Sequence, residues 1–254
     1  MIKIQRASCP ECLSKPSSEF VKSDYNKAEV KSALQNMQYG KCCYCESKLT
    51  HLASTEREVD HYKPKSEFKD ENENILWHLA NKWENLLYAC SSCNSKKGSQ
   101  SPFNSITGER KIIDPSCEDI DPEDHIDFKI DDYYITLVER EGSSLGRSTI
   151  DILKFYERPD LLSGFVKLKL EIETKFIELT SEIINEGNVS ITAIIRELSR
   201  ATSANNEFAA FRRNFIVKCL QKLNEDIIPQ LEAQYRKSFN RIEVDIHKGH
   251  ETEM

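Results

Sequence analysis

The feature that most constrains the fold of this chain is a pair of CxxC motifs that lie far apart in sequence. Cys42 and Cys45 form one motif, Cys90 and Cys93 form the other, and residues 46–89 lie between them. Two residues between cysteines let one tight turn present both sulfurs to one ion, so two such turns can supply four thiolates to a structural zinc. Bound zinc would join distant segments and stabilise the folded state directly. The alternatives are ordinary buried cysteines or a redox pair.

The chain has nine cysteines in all, and those outside the two motifs are less informative. In a cytosolic protein, so many cysteines indicate metal or redox chemistry rather than a disulfide framework. We expect Cys43 to be a spare residue that is packed in the interior. A third pair, Cys9 and Cys12, could hold a second metal ion with Cys117 or His125, or it could be a plain turn.

Composition allows a folded protein of one or two domains. The chain has 254 residues, of which 39% are hydrophobic and 30% are charged, with a formal net charge of -7. That charge counts against a simple DNA-binding protein, but a local basic patch on an acidic protein can still bind nucleic acid. Residues 1–20 lack the apolar segment of a signal peptide, and no stretch of about 18 apolar residues occurs. We therefore expect a cytoplasmic protein with no membrane partner.

The pattern outside the cysteine motifs predicts a helix, a hairpin and then a helical region. Residues 24–39 are typical of a helix that Asn26 caps, with Glu29 as its capping-box partner and Gly40 at its end. HIDFKI and YYITLVER (residues 125–130 and 133–140) predict two strands of a hairpin.

Beyond about residue 148 the sequence predicts helices. Apolar residues recur every three or four positions from Leu161 to Ile183, which indicates a long amphipathic helix. Pro159 suits its first turn and Gly187 its exit. Further helices are predicted over about 190–201 and 205–224. We accordingly divide the chain into an N-terminal domain with the zinc site (1–111), an acidic linker and hairpin (112–147), and a helical C-terminal domain (148–254).

The segments EVDHYKPKSEF and WENLLYACSSCNSKKG carry the polar residues of a candidate active site between about Lys41 and Gly98. They resemble the HNH endonuclease family, in which a strand ends in Asp-His, an Asn-Leu follows, and a CxxC precedes His or Asn and a nearby Lys. The corresponding elements here are Asp60-His61, Pro64, Asn85-Leu86, Cys90 to Cys93, Asn94 and Lys97.

The resemblance implies a role for each residue in phosphodiester hydrolysis. His61 would be the general base, because a neutral imidazole can accept a proton near pH 7. Asp60 and Asn94 would supply oxygen ligands to a catalytic Mg²⁺ or Mn²⁺. Asn85 would hold the loop that orients the histidine. Substrate phosphates would be contacted by the lysines of this region, namely Lys63, Lys96 and Lys97.

Each residue also has an interpretation without catalysis. An Asp-His pair at a strand end is often only exposed polar residues, and Asn94 could simply cap a helix. Lys63, Lys65 and Lys69 could form an ordinary solvated face. The combination, in this order and between two zinc half-sites, is much more specific than any of its parts.

A longer series of motifs is similar to one bacterial subgroup of HNH proteins, the PtuB-like nuclease subunits of Septu-type phage-defence systems, some of which are encoded beside retrons. The motifs are DHYKPKS, WHLANKWENLLYACSSCNSKKG, SPFN, IIDPSCED and HIDF, and the similarity covers roughly residues 1–155. It implies a separate ABC-type ATPase partner (PtuA-like), because this chain has no phosphate-binding G-x-x-x-x-G-K-[ST] loop. For retron-associated members it also implies the retron reverse transcriptase and its msDNA.

The sequence therefore predicts an α+β protein, in which a ββα-metal core around one structural zinc precedes a mostly helical C-terminal part. Its expected function is metal-dependent cleavage of nucleic acid, with DNA as the first choice and RNA such as tRNA left open. One alternative is a zinc-stabilised module that binds nucleic acid without cutting it. Another is an assembly protein in which zinc only stabilises the fold. The C-terminal helices could be a docking surface for the ATPase or a self-contained cap.

Overall fold

A computed structural model describes residues 1–53, 56–131, 134–186, 197 and 200–226. The chain forms two compact units. Of the described residues, those within Met1–Ser163 and Ala204–Ala210 belong to the first unit, and those within Gly164–Ser203 and Phe211–Met254 belong to the second. The three-part division at residues 111/112 and 147/148 stays a prediction.

Short elements dominate the first unit, and longer helices dominate the second. In chain order the helices and strands of the described residues are α1 (Ala28–Met37), β1 (Arg57–His61), α2 (Trp77–Ala80), β2 (Leu86–Cys90), α3 (Ser91–Lys97), β3 (Ile126–Ile130), β4 (Ile135–Glu139), α4 (Ser144–Leu153), α5 (Pro159–Glu186) and α6 (Ala209–Asp226). Short 3-10 turns join many of them, including Asp24–Asn26, Leu49–His51, Lys65–Glu67 and Trp83–Asn85.

The core of the first unit is a two-stranded antiparallel sheet followed by a helix. β1 pairs with β2 so that Asp60 lies opposite Leu87 and His61 opposite Leu86. Every residue of β2 is buried, as expected of a strand with protein on both faces. α3 follows β2 directly, which gives the ββα order. The predicted α+β class, with this core and a helical C-terminal part, is confirmed.

The first helix begins later than predicted. α1 starts at Ala28 after a separate 3-10 turn, Asp24–Asn26, and no side chain caps it, so the predicted cap at Asn26 is wrong. The carboxylate of Asp24 pairs with Lys15 and Lys27 and holds that turn apart from the helix. Glu29, the predicted capping-box partner, instead accepts from the backbone N–H of Cys12 at 3.4 Å.

The helix ends at Met37, two residues before the predicted end, whereas the predicted hairpin is confirmed. Gly40 follows α1 with φ of +68°, a conformation that favours glycine. β3 and β4 pair antiparallel within the two predicted segments. The hairpin packs closely on α4, since a Cβ added at Gly146 would lie 1.9 Å from the carbonyl oxygen of His125.

The second unit is helical where it is described. α5 begins at Pro159 as predicted and contributes its residues from Gly164 onward to this unit. The rings of Phe165 and Phe211 stack with centroids 5.0 Å apart, and those of Phe211 and Phe215 stack at 5.8 Å.

Two predictions for this region lie wholly or mostly outside the described residues. These are the helix exit at Gly187 and most of the helix over 190–201. The helix predicted over 205–224 corresponds to α6, which runs from Ala209 to Asp226. No helix in the described ranges is long and apolar enough to cross a membrane.

Candidate active site and zinc centre

The four cysteines of the two CxxC motifs form one buried cluster. The sulfurs of Cys42, Cys45, Cys90 and Cys93 all lie within 4.8 Å of one another. The Sγ atoms of Cys45 and Cys90 are 3.8 Å apart. Four sulfurs at about 2.3 Å from a zinc ion in tetrahedral geometry would be separated by about 3.8 Å. The arrangement therefore fits a structural zinc.

Local backbone geometry brings the two motifs together. In the first motif, the N–H of Glu46 donates to Cys42 O at 3.0 Å and closes a tight turn. In the second, Cys90 ends β2 and Cys93 lies in the first turn of α3. The N–H of Cys43 donates to Tyr88 O on β2 at 3.0 Å, which ties the first turn to the strand that carries the second.

The other cysteines lie outside this cluster. Cys43 is buried beside it, as expected of a packed residue. Among the residues that the structure describes, the four-cysteine cluster is the group identified as able to hold a metal ion, and it includes neither Cys9 nor Cys12. Cys12 lies in a 3-10 turn, Glu11–Leu13, as the plain-turn interpretation expected.

A buried arginine that the sequence analysis missed contacts the cluster. Nη1 of Arg158 donates to Cys93 Sγ at 3.5 Å, and Nη2 donates to Asp160 at 2.6 Å. The hydrogen bond with Asp160 raises the pKa of Arg158 against the effect of burial, and the nearby cysteines raise it further. Four thiolates and one divalent ion would carry two excess negative charges, which the guanidinium partly offsets.

The first cysteine turn is also anchored to the segment Ala204–Ala210. Nζ of Lys41 lies 3.2 Å from Glu46 Oε2 and donates to Ala204 O at 2.6 Å and to Asn206 O at 2.9 Å. The N–H of Ala210 donates to Glu46 Oε1 at 3.3 Å. Both ionic side chains are buried, so this clamp fixes the turn to a chain segment more than a hundred residues away.

Asp60 is buried and engaged on both carboxylate oxygens. The hydroxyl of Tyr44 donates to Oδ2 at 2.6 Å, and Nζ of Lys97 donates to Oδ1 at 2.9 Å. Burial, followed by the charge of Asp60, raises the pKa of Tyr44 well above its usual value, so the phenol keeps the proton that it donates. The predicted cation ligand is therefore held by two donors in this structure.

Lys97 occupies a different environment from the one that the sequence predicted. It is fully buried, and its ammonium also donates to the backbone oxygen of His61 at 2.7 Å. The sequence predicted that Lys97 contacts a substrate phosphate. In the structure its ammonium is instead bound by Asp60 and by the backbone oxygen of His61. Lys96, its neighbour, pairs on the surface with Glu157 at 2.6 Å.

His61 ends β1 and is held by an asparagine that the sequence analysis missed. Its Nε2 lies 3.2 Å from Asn81 Oδ1. The amide orientation follows from the other end of Asn81, where Nδ2 donates to Val21 O at 3.0 Å. Oδ1 can only accept, so Nε2 carries the proton in the neutral imidazole and Nδ1 keeps its lone pair.

The surroundings of His61 keep it uncharged near neutral pH. The residue is 5% exposed, and the ring of Tyr25 meets it edge-on with centroids 4.6 Å apart. Burial lowers the pKa of His61 to about 4, more than the hydrogen bond with Asn81 raises it. The imidazole is thus in the form that can accept a proton.

Asn85 makes the contacts expected of a supporting residue. Its Oδ1 accepts from the N–H of Lys63 at 2.8 Å, and its Nδ2 donates to Lys63 O at 3.1 Å and to Ala80 O at 2.9 Å. Two of these bonds hold the N–H and the carbonyl oxygen of Lys63, which lies two positions after His61. The loop following β1 is therefore rigidly placed.

Asn94 meets a carboxylate that was not predicted. Its Nδ2 donates to Glu58 Oε2. Glu58 and Asp60 share one face of β1, since side chains alternate along a strand. Asn94 and Lys97 share one face of α3, since they are three positions apart. Two side chains of α3 therefore donate to carboxylates of β1: Asn94 to Glu58 and Lys97 to Asp60.

Comparison with known proteins finds similarity over the residues of this site and beyond them. A family model described as HNH endonuclease matches residues 42–100, which include both cysteine motifs, β1, β2 and α3. The chain is 30% identical over 215 residues to Septu protein PtuB of Bacillus mycoides (strain KBAB4), covering 70% of each chain. It is 30% identical over 211 residues to Septu protein PtuB of Bacillus thuringiensis, covering 79% of this chain and 72% of that protein.

Proposed function

Since this chain belongs to the PtuB family of HNH endonucleases, we propose that it hydrolyses phosphodiester bonds of nucleic acid with His61 as the general base. The observation that carries the proposal is the setting of His61 at the end of β1. Its imidazole is neutral, its Nε2–H is directed to Asn81 at 3.2 Å, and its Nδ1 has a lone pair available for a proton.

In this mechanism the protein's own residues activate and orient the attacking water. Nδ1 of His61 takes a proton from that water, and Nε2 keeps its hydrogen bond to Asn81 throughout. Lys97 holds the end of β1 through the backbone oxygen of His61. Asn85 fixes the loop that follows β1, which keeps the imidazole of His61 in its position.

The donor set beside the histidine fits a hard divalent cation such as Mg²⁺ or Mn²⁺. Asp60 and Asn94 are the ligands that we propose, and Glu58 is added because its carboxylate lies against Asn94. A carboxylate oxygen has two lone pairs, so Asp60 can accept from Lys97 and Tyr44 and still ligate. When bound, such a cation would polarise the phosphate and stabilise the leaving oxygen.

The zinc that we propose on the four cysteines has a structural role. It would join the turn before β1 to the β2–α3 junction, and so keep the two halves of the catalytic motif in register. Four buried thiolates leave no open ligand position for a substrate. We therefore assign no catalytic step to this centre.

We further propose a place in an antiviral defence complex, with a separate ATPase chain as partner. The support is the similarity to two Septu proteins, together with the motifs in the sequence. The retron components implied by those motifs are a narrower proposal of the same kind. An apolar strip on α5 favours docking, since Val166 is 39% exposed and Leu170, four positions on, is 58% exposed.

The proposal is tested by a cleavage assay on the chain co-expressed with its genomic neighbours. Plasmid DNA and total RNA are offered together with Mg²⁺, with Mn²⁺ or with EDTA, so that the assay also identifies the substrate. We expect metal-dependent cleavage by wild type that His61→Ala abolishes and that His51→Ala, on an exposed turn, retains. Equal behaviour of wild type and His61→Ala under all conditions would favour a binding or assembly protein.

A further inference from the structure

The basic residues around His61 fall into two groups. Lys96 and Lys97, both predicted to contact phosphates, are already paired with Glu157 and Asp60. Lys63, Lys65 and Arg110 form no ion pair with a carboxylate within the described part of the chain. In a chain with a net charge of -7, such a group of unpaired cations is unusual for ordinary surface.

These three cations lie over aromatic rings. Nζ of Lys63 is 5.0 Å from the ring centroid of Phe103, and Cζ of Arg110 is 5.1 Å from it. Nζ of Lys65 is 5.1 Å from the ring centroid of Tyr25. All five side chains are half-buried, so they are neither core nor fully solvated. We call them the basic–aromatic surface: Tyr25, Lys63, Lys65, Phe103 and Arg110.

The basic–aromatic surface lies next to the proposed general base. Tyr25 contacts the imidazole of His61 directly. Lys63 follows His61 by two positions, and Asn85 binds both its N–H and its carbonyl oxygen. The surface therefore flanks the position at which His61 would activate water.

The Phe103 end of the surface is fixed by Tyr62. The hydroxyl of Tyr62 accepts from Nη1 of Arg110 at 2.9 Å and donates to Ile112 O at 2.6 Å. The rings of Tyr62 and Phe103 meet edge-on with centroids 6.4 Å apart. Phe103 and Arg110 lie beyond residue 100, where the match to the HNH family model ends.

We infer that the basic–aromatic surface binds an unpaired nucleotide beside the scissile phosphate. The inference deepens the proposed function and depends on it. The base would stack on Phe103 in place of the charged groups of Lys63 and Arg110 that lie over the ring, because every base has a π-face and such stacking tolerates any sequence. Lys63 and Arg110 would turn from the ring to the flanking phosphates, which Lys65 would also contact. Bases within a duplex are stacked on each other, so the surface selects single-stranded or locally unpaired DNA or RNA.

The test is a binding measurement on the full chain carrying His61→Ala, so that the probe is not cut. Fluorescence anisotropy compares a labelled single-stranded DNA, a single-stranded RNA of the same sequence and the DNA duplex, at two salt concentrations. We expect single strands to bind at least about tenfold more tightly than the duplex. The difference in affinity between the DNA and RNA single strands shows whether the sugar contributes to binding.

Substitutions in the surface separate stacking from charge. Phe103→Leu, which keeps apolar volume but removes the ring, should weaken single-strand binding about tenfold. Lys63→Gln and Arg110→Gln should each lower the slope of log affinity against log salt by about 0.7. The matched controls come from the hairpin, where Lys129 lies 5.8 Å from the ring of Tyr134. Lys129→Gln and Tyr134→Ala should bind like the parent.

Three results would overturn the inference. The first is a Phe103→Leu variant that retains the zinc content of the parent and binds single strands as tightly as the parent does. The second is a parent that binds the duplex more tightly than the single strands. The third is a parent that binds none of the three probes. Cleavage by wild type that His61→Ala abolishes would then leave the proposed function standing alone. If wild type and His61→Ala cleave equally, the proposed function fails, while the binding measurements still report on the surface.

Discussion

At the scale of single residues, adjacent positions in this chain have opposite environments. Lys96 and Lys97 both follow the second cysteine motif, yet one lies on the surface and the other is fully buried against Asp60. The position in α3 explains the difference, since Lys97 shares with Asn94 the face that meets β1. We therefore regard Lys97 as a positioning residue for the end of β1.

Replacing Lys97 should cost much more stability than replacing Lys96. Lys97→Met leaves the buried carboxylate of Asp60 without its cation, which should lower the free energy of unfolding by about 3–5 kcal/mol. Lys96→Met, the matched control, should leave it nearly unchanged because that pair is solvated. Urea unfolding of the zinc-loaded proteins measures both. Similar unfolding free energies for the two variants would contradict the assignment.

Sequence motifs identified the residues whose types the chemistry requires, but not their supporting contacts. The cysteines, Asp60, His61 and Asn85 could be predicted because each belongs to a spaced motif. Asn81, Glu58 and Arg158 could not, because their contacts depend on how separate segments pack. The burial of Lys97 could not be predicted either, since the sequence of α3 does not determine which face of the helix meets β1.

At the scale of elements, the structure depends on turns and strand ends rather than on long helices. The first cysteine turn is tied to β2 through Cys43 and to the segment Ala204–Ala210 through Lys41 and Glu46. Alternating and apolar patterns predicted the hairpin β3–β4 well. The start of α1 was not predictable, because Asp24 forms its own turn with Lys15 and Lys27.

The zinc assignment predicts different consequences for neighbouring cysteines. Cys45→Ser removes one of four ligands and should lose the zinc and destabilise the first unit. Cys43→Ser alters a buried cysteine outside the cluster and should retain one zinc per chain. Zinc content by atomic absorption, before and after dialysis against a chelator, distinguishes them. Retention of full zinc by Cys45→Ser would rule out the four-thiolate site.

At the scale of the whole molecule, a nuclease core and a helical region share one acidic chain. The HNH match covers residues 42–100, whereas the similarity to the PtuB proteins covers at least 70% of the chain. The family resemblance therefore extends well beyond the catalytic motif. The ATPase partner proposed above rests on this extended similarity and not on the HNH motif alone.

Partner docking on α5 can be tested without removing any element. Truncation near residue 148 would also delete Ala204–Ala210, which anchors the cysteine turn. The double variant Val166→Asp/Leu170→Asp instead places charge on the exposed apolar strip and should abolish co-purification with the ATPase. Ile106→Asp, at a 92% exposed residue of the nuclease part, should have no effect. Undiminished co-purification of the double variant would remove α5 as the docking surface.

If His61 acts as the general base, free imidazole should rescue a variant that lacks its side chain. His61→Gly leaves space between Tyr25 and Asn81 that free imidazole can enter. Single-turnover cleavage of the substrate that the proposed cleavage assay identifies is measured for this variant with increasing imidazole. Cleavage should be lost in His61→Gly and should return with imidazole in proportion to its neutral form. Cleavage that persists without imidazole, or a loss that imidazole does not restore, would contradict the role of His61 as general base.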